Sequence, residues 1–201
     1  MPMSPLKNSL LASVVATVTG AVMFAVPADD AVAAGANPQV LMKTSLGEIV
    51  IELYPEKAPK TVENFLQYVD DNHFSGTIFH RVIGNFMIQG GGFDKDMKQK
   101  SARPATPLES RNGLKNDVGT LAMARTSVPD SATAQFFINT ANHASLNFPN
   151  PDGNGYAVFG KVVQGMETVE KIAKVKTGRS GPHGDVPAEP VVIESISRVG
   201  K

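Results

Sequence analysis

In FHRVIGNFMIQGGGF, residues 79–93, a cation and an amide sit inside otherwise apolar runs, Arg81 in the first and Gln89 at the end of the second. An arginine held among apolar residues costs free energy unless something pairs with it. The next acidic residue downstream is Asp94. A guanidinium is no nucleophile; its chemistry is to donate hydrogen bonds and to stabilise charge that develops during a reaction. Standard nucleophile and cofactor signatures are missing: there is no G-x-S-x-G elbow, no H-E-x-x-H, no phosphate loop and no dinucleotide glycine motif. Cysteine is absent, which excludes disulfides, thiolate catalysis and cysteine-based zinc sites. His73, His80, His143 and His183 are scattered without ligand spacing, so neither a metal nor any other cofactor is expected. His80 reads as a hydrogen-bonded structural residue. What remains is unreactive: Arg81, Gln89 and Gln135, with the apolar Phe86, Met87, Phe137 and Leu146. Singly, each has an ordinary explanation, the apolar ones as core, the glutamines as surface, the arginine as a side chain reaching for water.

The surrounding elements must bring these residues together. GEIVIELY, residues 47–54, alternates as a strand, and PQVLMKTS before it reads as its partner across a tight Ser45-Leu46-Gly47 connection. In APKTVENFLQYVDDN, Val62, Phe65, Leu66 and Val69 recur with helical spacing, and the helix should start near Pro59 to Thr61. Strand pieces follow: TIFHRVI, FMIQGG, GTLAMA, QFFINT and YAVFGKVV. GMETVEKIAKV makes a second helix with Met166, Val169, Ile172 and Ala173 on one face, and PVVIESISRV a last strand. The pattern is mainly β, and so many short strands solve their edge problem by closing. The expected fold is a closed eight-stranded antiparallel barrel capped by two α-helices. A barrel that small is filled by side chains, which excludes an internal ligand and places any site on the outer face or a rim.

Strand parity puts Phe79, Arg81 and Ile83 on one face, and Met87 with Gln89 on one face of the next strand. Phe86 has the opposite parity, so a bend at Gly84-Asn85 must turn it to join Arg81. The three glycines 90–92 do not lead into a helix and read as a bulge or turn.

The chain has 201 residues, 42% of them hydrophobic, which suits one domain. Its charges balance, nineteen basic against nineteen acidic, with no basic run, so nucleic acid is not an expected partner. The N-terminus is of different material. After Lys7 comes the uncharged LLASVVATVTGAVMFAV, residues 10–26, then small residues with Ala31-Val32-Ala33 or Val32-Ala33-Ala34 before a cut. Residues 1–34 thus have the form of a cleaved signal peptide, and 35–201 that of the working domain. An uncleaved anchor is the alternative, but the apolar run is at the lower limit for a span and is diluted by Ser13, Thr17, Thr19 and Gly20. The expected product is periplasmic or secreted, monomeric, and without stable membrane insertion after cleavage.

FHRVIGNFMIQGGGF, followed in order by GTLAMARTS, AQFFINT and YAVFGKVVQGM, resembles the cyclophilins, the cyclosporin-type peptidyl-prolyl cis-trans isomerases. The likeness runs from about Val40 to Val199 and is strongest to the secreted or periplasmic bacterial branch. It implies an enzyme acting on proline-containing, unfolded or exported polypeptides. It also implies that Arg81, with Phe86 and Gln89, is catalytic, Arg81 stabilising the twisted imide. Met87, Phe137 and Leu146 complete the implied proline pocket with Phe86. The resemblance further implies that Gln135 flanks the substrate backbone with Gln89 and orients Arg81, that Ala124 leaves the groove open, and that Tyr156 stands at the rim where many members have histidine. A module that holds proline segments without catalysis would be the alternative use of such a groove. Three departures from the family pattern stand out. Arg125 replaces a common asparagine and adds a charge beside the groove, Gly84-Asn85 replaces Pro-Gly, and Ser145 replaces a tryptophan that many members use to bind cyclosporin. Weak cyclosporin binding is therefore expected.

Overall fold

The computed structural model describes residues 1, 2 and 37–200. The chain divides into Met1–Gly35 and Ala36–Lys201. The expected export segment lies outside the described residues, and the fold below is that of the second unit.

Strands β1 (Gln39–Thr44) and β2 (Gly47–Leu53) form a hairpin in which Val40 pairs with Ile51 and Met42 with Ile49. The period of two sends Val40, Met42, Ile49, Ile51 and Leu53 inward, all fully buried. Helix α1 (Pro59–Asp70) starts on a proline, whose missing N–H would have been unpaired there anyway. Glu109 caps it from a distant loop, accepting the N–H groups of Lys60 at 3.1 Å and Thr61 at 2.8 Å. The expected stripe of Val62, Phe65, Leu66 and Val69 is buried, joined by Tyr68.

Then come β3 (Thr77–Ile83), β4 (Met87–Asp94), β5 (Thr120–Met123), β6 (Phe136–Asn139) and β7 (Val158–Gln164). Helix α2 (Met166–Ala173) buries Val169 and Ile172. It follows Gly165, whose φ of 87° and approach to the Glu48 carbonyl leave no room for a side chain. The chain ends with β8 (Thr177–Ser180), β9 (His183–Pro187) and β10 (Val192–Arg198).

Eight strands close into an antiparallel barrel in the order β1-β10-β3-β4-β6-β5-β7-β2. Its interior is solid: Phe65 of α1 packs 5.2 Å from Phe74, 5.3 Å from Phe159 and 5.8 Å from Phe136, ring centre to ring centre. A smaller apolar cluster of Met87, Ala122, Phe137 and Val158 occupies the opposite face of the wall. The alternation that points Ile88, Leu121 and Ile138 inward points these outward.

Two features depart from the expectations. The β8–β9 hairpin is a separate two-stranded sheet, with Thr177 opposite Pro187 and Ser180 opposite His183. Its sequence shows no apolar alternation, and no element is expected between the second helix and the last strand. The second is a bulge: Phe79 pairs with Gly90 but Arg81 with Gln89, leaving His80 as the extra residue. Phe79 is therefore buried inside the barrel, 6.3 Å from Phe136, while Arg81 and Ile83 lie outside. Simple parity placed all three on one face; one inserted residue reverses it.

Candidate active site

On the outer wall, β4, β6 and β5 run side by side with Gln89 opposite Phe137 and Phe137 opposite Ala122. Met87 and Phe137 form an almost fully buried floor. At the β3–β4 turn the Phe86 N–H donates to the Ile83 carbonyl at 2.9 Å, the bend required at Gly84-Asn85. His143 then fixes Phe86: its ring meets the phenyl edge-on at 4.7 Å, and its Nε2 hydrogen-bonds the Phe86 carbonyl at 2.8 Å.

Leu146 and Tyr156 close the opposite side from the long connection between β6 and β7. Leu146 ends a single turn of 3-10 helix, Ala144–Leu146. The Tyr156 N–H donates to the Leu146 carbonyl at 2.9 Å, so the two are tied, and the Tyr156 ring stands edge-on to Phe137 at 5.8 Å. Fully buried Asn116 anchors this connection. Its N–H donates to Asn147 Oδ1 at 2.7 Å and its Nδ2 to the Leu146 carbonyl at 3.2 Å, while its Oδ1 accepts from Asn139 Nδ2 at 3.2 Å. Asn116 is thereby fully paired, and a buried amide satisfied in this way fixes a loop more rigidly than apolar contact alone.

Arg81, Phe86, Met87, Gln89, Ala124, Arg125, Phe137, Leu146 and Tyr156 together line one pocket of about 120 Å³. A dry cavity of about 150 Å³ accepts benzene, so this one suits a single small ring. Gln135 stands just behind: its Oε1 accepts from Gln89 Nε2 at 3.0 Å. The resemblance has Gln135 orient Arg81; here its carbonyl oxygen holds Gln89 instead. Gly92 permits this, since a Cβ there would lie 2.5 Å from Gln135 Cγ.

The two arginines differ sharply. The Arg125 side chain is only 2% exposed. It grips Asp152 through both carboxylate oxygens, at 2.9 and 2.7 Å, gives Nε to the Gly155 carbonyl at 3.0 Å, and stacks 4.6 Å over Tyr156. Its hydrogen bond holds the Asp152 carboxyl below the usual range. The expected extra charge beside the groove is thus internally neutralised, and Arg125 serves as a clamp on the loop that carries Tyr156. Arg81 is 43% exposed, its Cζ 6.0 Å from the Phe86 ring centre. Its ionic partner is Asp185, 3.9 Å from Nε, whereas Asp94 accepts the N–H groups of Asp96 and Lys98 in its own turn.

Behind Arg81 lies a wider recess of about 450 Å³, bounded by His80, Phe93, Gln135 and the β8–β9 hairpin. His80 packs 4.7 Å from the Phe93 ring, and its Nδ1 has no hydrogen-bond partner among the described residues. Burial, reinforced by His183, pushes its pKa down to about 4. His80 is thus a neutral, buried ring packed against the barrel wall, its remaining hydrogen bonding shared with the Ile78 backbone and the Gln135 side chain. His143, Asn116 and Asp185 carried no local signal; each reaches the site from a distant part of the chain.

Residues 39–198 match the profile described as cyclophilin type peptidyl-prolyl cis-trans isomerase/CLD. The chain belongs to the cyclophilin family. It is 58% identical over 163 residues to peptidyl-prolyl cis-trans isomerase cyp18 of Streptomyces antibioticus, covering 80% of this chain and 98% of that protein. It is 55% identical over 160 residues to peptidyl-prolyl cis-trans isomerase B of Escherichia coli, covering 79% and 98%. A crystal structure of a Cryptosporidium parvum cyclophilin type isomerase, obtained in the presence of the dipeptide Ala-Pro, superimposes with a TM-score of 0.70 at 27% identity, covering 81% of this chain and 99% of that one. As a cyclophilin, the chain has peptidyl-prolyl cis-trans isomerase activity.

Proposed function

We propose that this cyclophilin turns Xaa-Pro bonds in exported, still-unfolded polypeptides and that Arg81 stabilises the twisted imide. The barrier of ~18–20 kcal/mol is lost amide resonance, and uncatalysed crossing takes about 10–100 s. As the C–N bond twists, the nitrogen lone pair leaves conjugation and the prolyl nitrogen becomes a hydrogen-bond acceptor. A guanidinium beside it binds the twisted form better than either planar one, and such differential binding lowers a barrier. An acceleration of about 10⁵ asks for roughly 7 kcal/mol, shared between that term and the grip on the ring.

The observation that carries this reading is the shared pocket: Arg81 opens onto the same ring-sized apolar recess as Phe86, Met87, Phe137 and Leu146. Gln89, held by Gln135, offers an amide to the substrate backbone on the same wall. Arg81→Ala should lower kcat/KM by about 100-fold or more, near 2.7 kcal/mol, with the melting temperature little changed. Near-normal turnover in that variant would remove Arg81 from the mechanism.

Export is supported by the uncharged run 10–26 and the small residues 31–34. Mass spectrometry of the native protein should find an N-terminus close to Ala34 or Gly35. An intact Met1 in a membrane fraction would favour an anchor instead.

A further inference from the structure

The carboxylate that meets Arg81 comes from the β8–β9 hairpin, far along the chain. We propose that Asp185 is a positioning residue for isomerisation, holding the Nε side of the Arg81 guanidinium so that its terminal nitrogens are left for the pocket. The proposal rests on the role given to Arg81 above.

Placement is the first argument. Nε is the inboard nitrogen, and an anion there restrains the last rotation of the side chain without occupying the two outer nitrogens. Those are the donors a prolyl nitrogen would meet. The second argument is backbone conformation. Asp185 has φ of 57°, in the left-handed region that most side chains avoid and that Asp and Asn tolerate best. Residues held there by their surroundings gather at functional sites. The third is the hairpin's own character. Its first strand is exposed along most of its length, and within β9 only Val186 and Pro187 are buried. His183 pins it to the wall, its ring 5.2 Å from Phe93. Core filling alone does not account for the hairpin; what it does bring to the site is a carboxylate.

Both partners of the pair are half exposed and 3.9 Å apart. Ion pairs of that kind add almost nothing to folding stability, so the consequence should be found in rate. Asp185→Asn keeps the shape and the left-handed tolerance while removing the charge. Asp185→Gly keeps the backbone and removes the side chain. Both should lower kcat about fivefold, leave KM within twofold and leave the melting temperature unchanged.

The deciding measurement is a double-mutant cycle with Arg81→Ala. If Asp185 acts through Arg81, Asp185→Asn should cause no further loss in the Arg81→Ala background. Normal kcat in both single Asp185 variants would overturn the proposal. So would an equal fivefold loss in both backgrounds, because Asp185 would then act independently. Normal turnover in Arg81→Ala alone would instead overturn the reading of Arg81, and this proposal with it.

Discussion

At the scale of single residues, the site separates into groups that face the pocket and groups that hold them. The first kind was legible in the sequence, because an arginine and two glutamines among apolar strand residues look misplaced until a groove explains them. The second kind was not: His143 and Asn116 act through contacts made only after folding, and nothing in their neighbours marks them. Ser145 belongs to the rim, and its exposure beside Leu146 gives a test. A tryptophan there would add an aromatic surface of about 150–250 Å², of which serine offers a fraction. Phe148 does not fill the role, since its ring lies 4.5 Å from the Arg111 guanidinium in a separate depression with Leu114 and Lys115. The unmodified protein should therefore bind cyclosporin weakly. Ser145→Trp should tighten it at least about tenfold, near 1.4 kcal/mol, with turnover changed only modestly. Calorimetric titration of both proteins decides this, and tight binding by the unmodified chain would count against it.

At the scale of elements, helices α1 and α2 and the eight barrel strands followed from their periods, whereas the bulge in β3 and the β8–β9 hairpin did not. Parity assumes one residue per step, and a single extra residue at His80 breaks that assumption without leaving a mark in composition. The hairpin is polar and half solvated, so no core demand wrote a pattern into it. Within β4, Gly92 controls how Gln135 lies against the wall. Gly92→Ala would place a methyl group where Gln135 now rests. Because the obstructed group is a side chain rather than backbone, the fold should survive with a loss of about 1–3 kcal/mol. The Gln89–Gln135 bond should break, and kcat/KM should fall several-fold through KM, the mark of a lost substrate contact. Equal KM in variant and parent would show that Gln89 needs no support from Gln135.

For the whole molecule, the buried histidine sets an acid limit. Folded His80 protonates only near pH 4, while an unfolded chain takes up that proton near 6.5. Below 6.5 the unfolded state binds more protons, so stability is full above that value and falls as the pH drops toward 4. The difference corresponds to about 3 kcal/mol over that window. His73 is also shifted down, by burial and then by Lys100, and acts in the same sense. Urea unfolding at pH 7 and pH 4.5 should show the loss, and His80→Gln should flatten it; an unchanged slope would mean that His80 is protonated freely in the fold. A different property follows from the two carboxylates at the groove. Each guanidinium at the pocket carries its own anion, Arg125 with Asp152 and Arg81 with Asp185. The mouth therefore presents little net field to an approaching chain. Such encounters run at the unsteered rate of about 10⁵–10⁶ M⁻¹s⁻¹ and change little with ionic strength. Acidic and basic segments would be met equally often, so charge around the proline would not decide which segment enters the groove first.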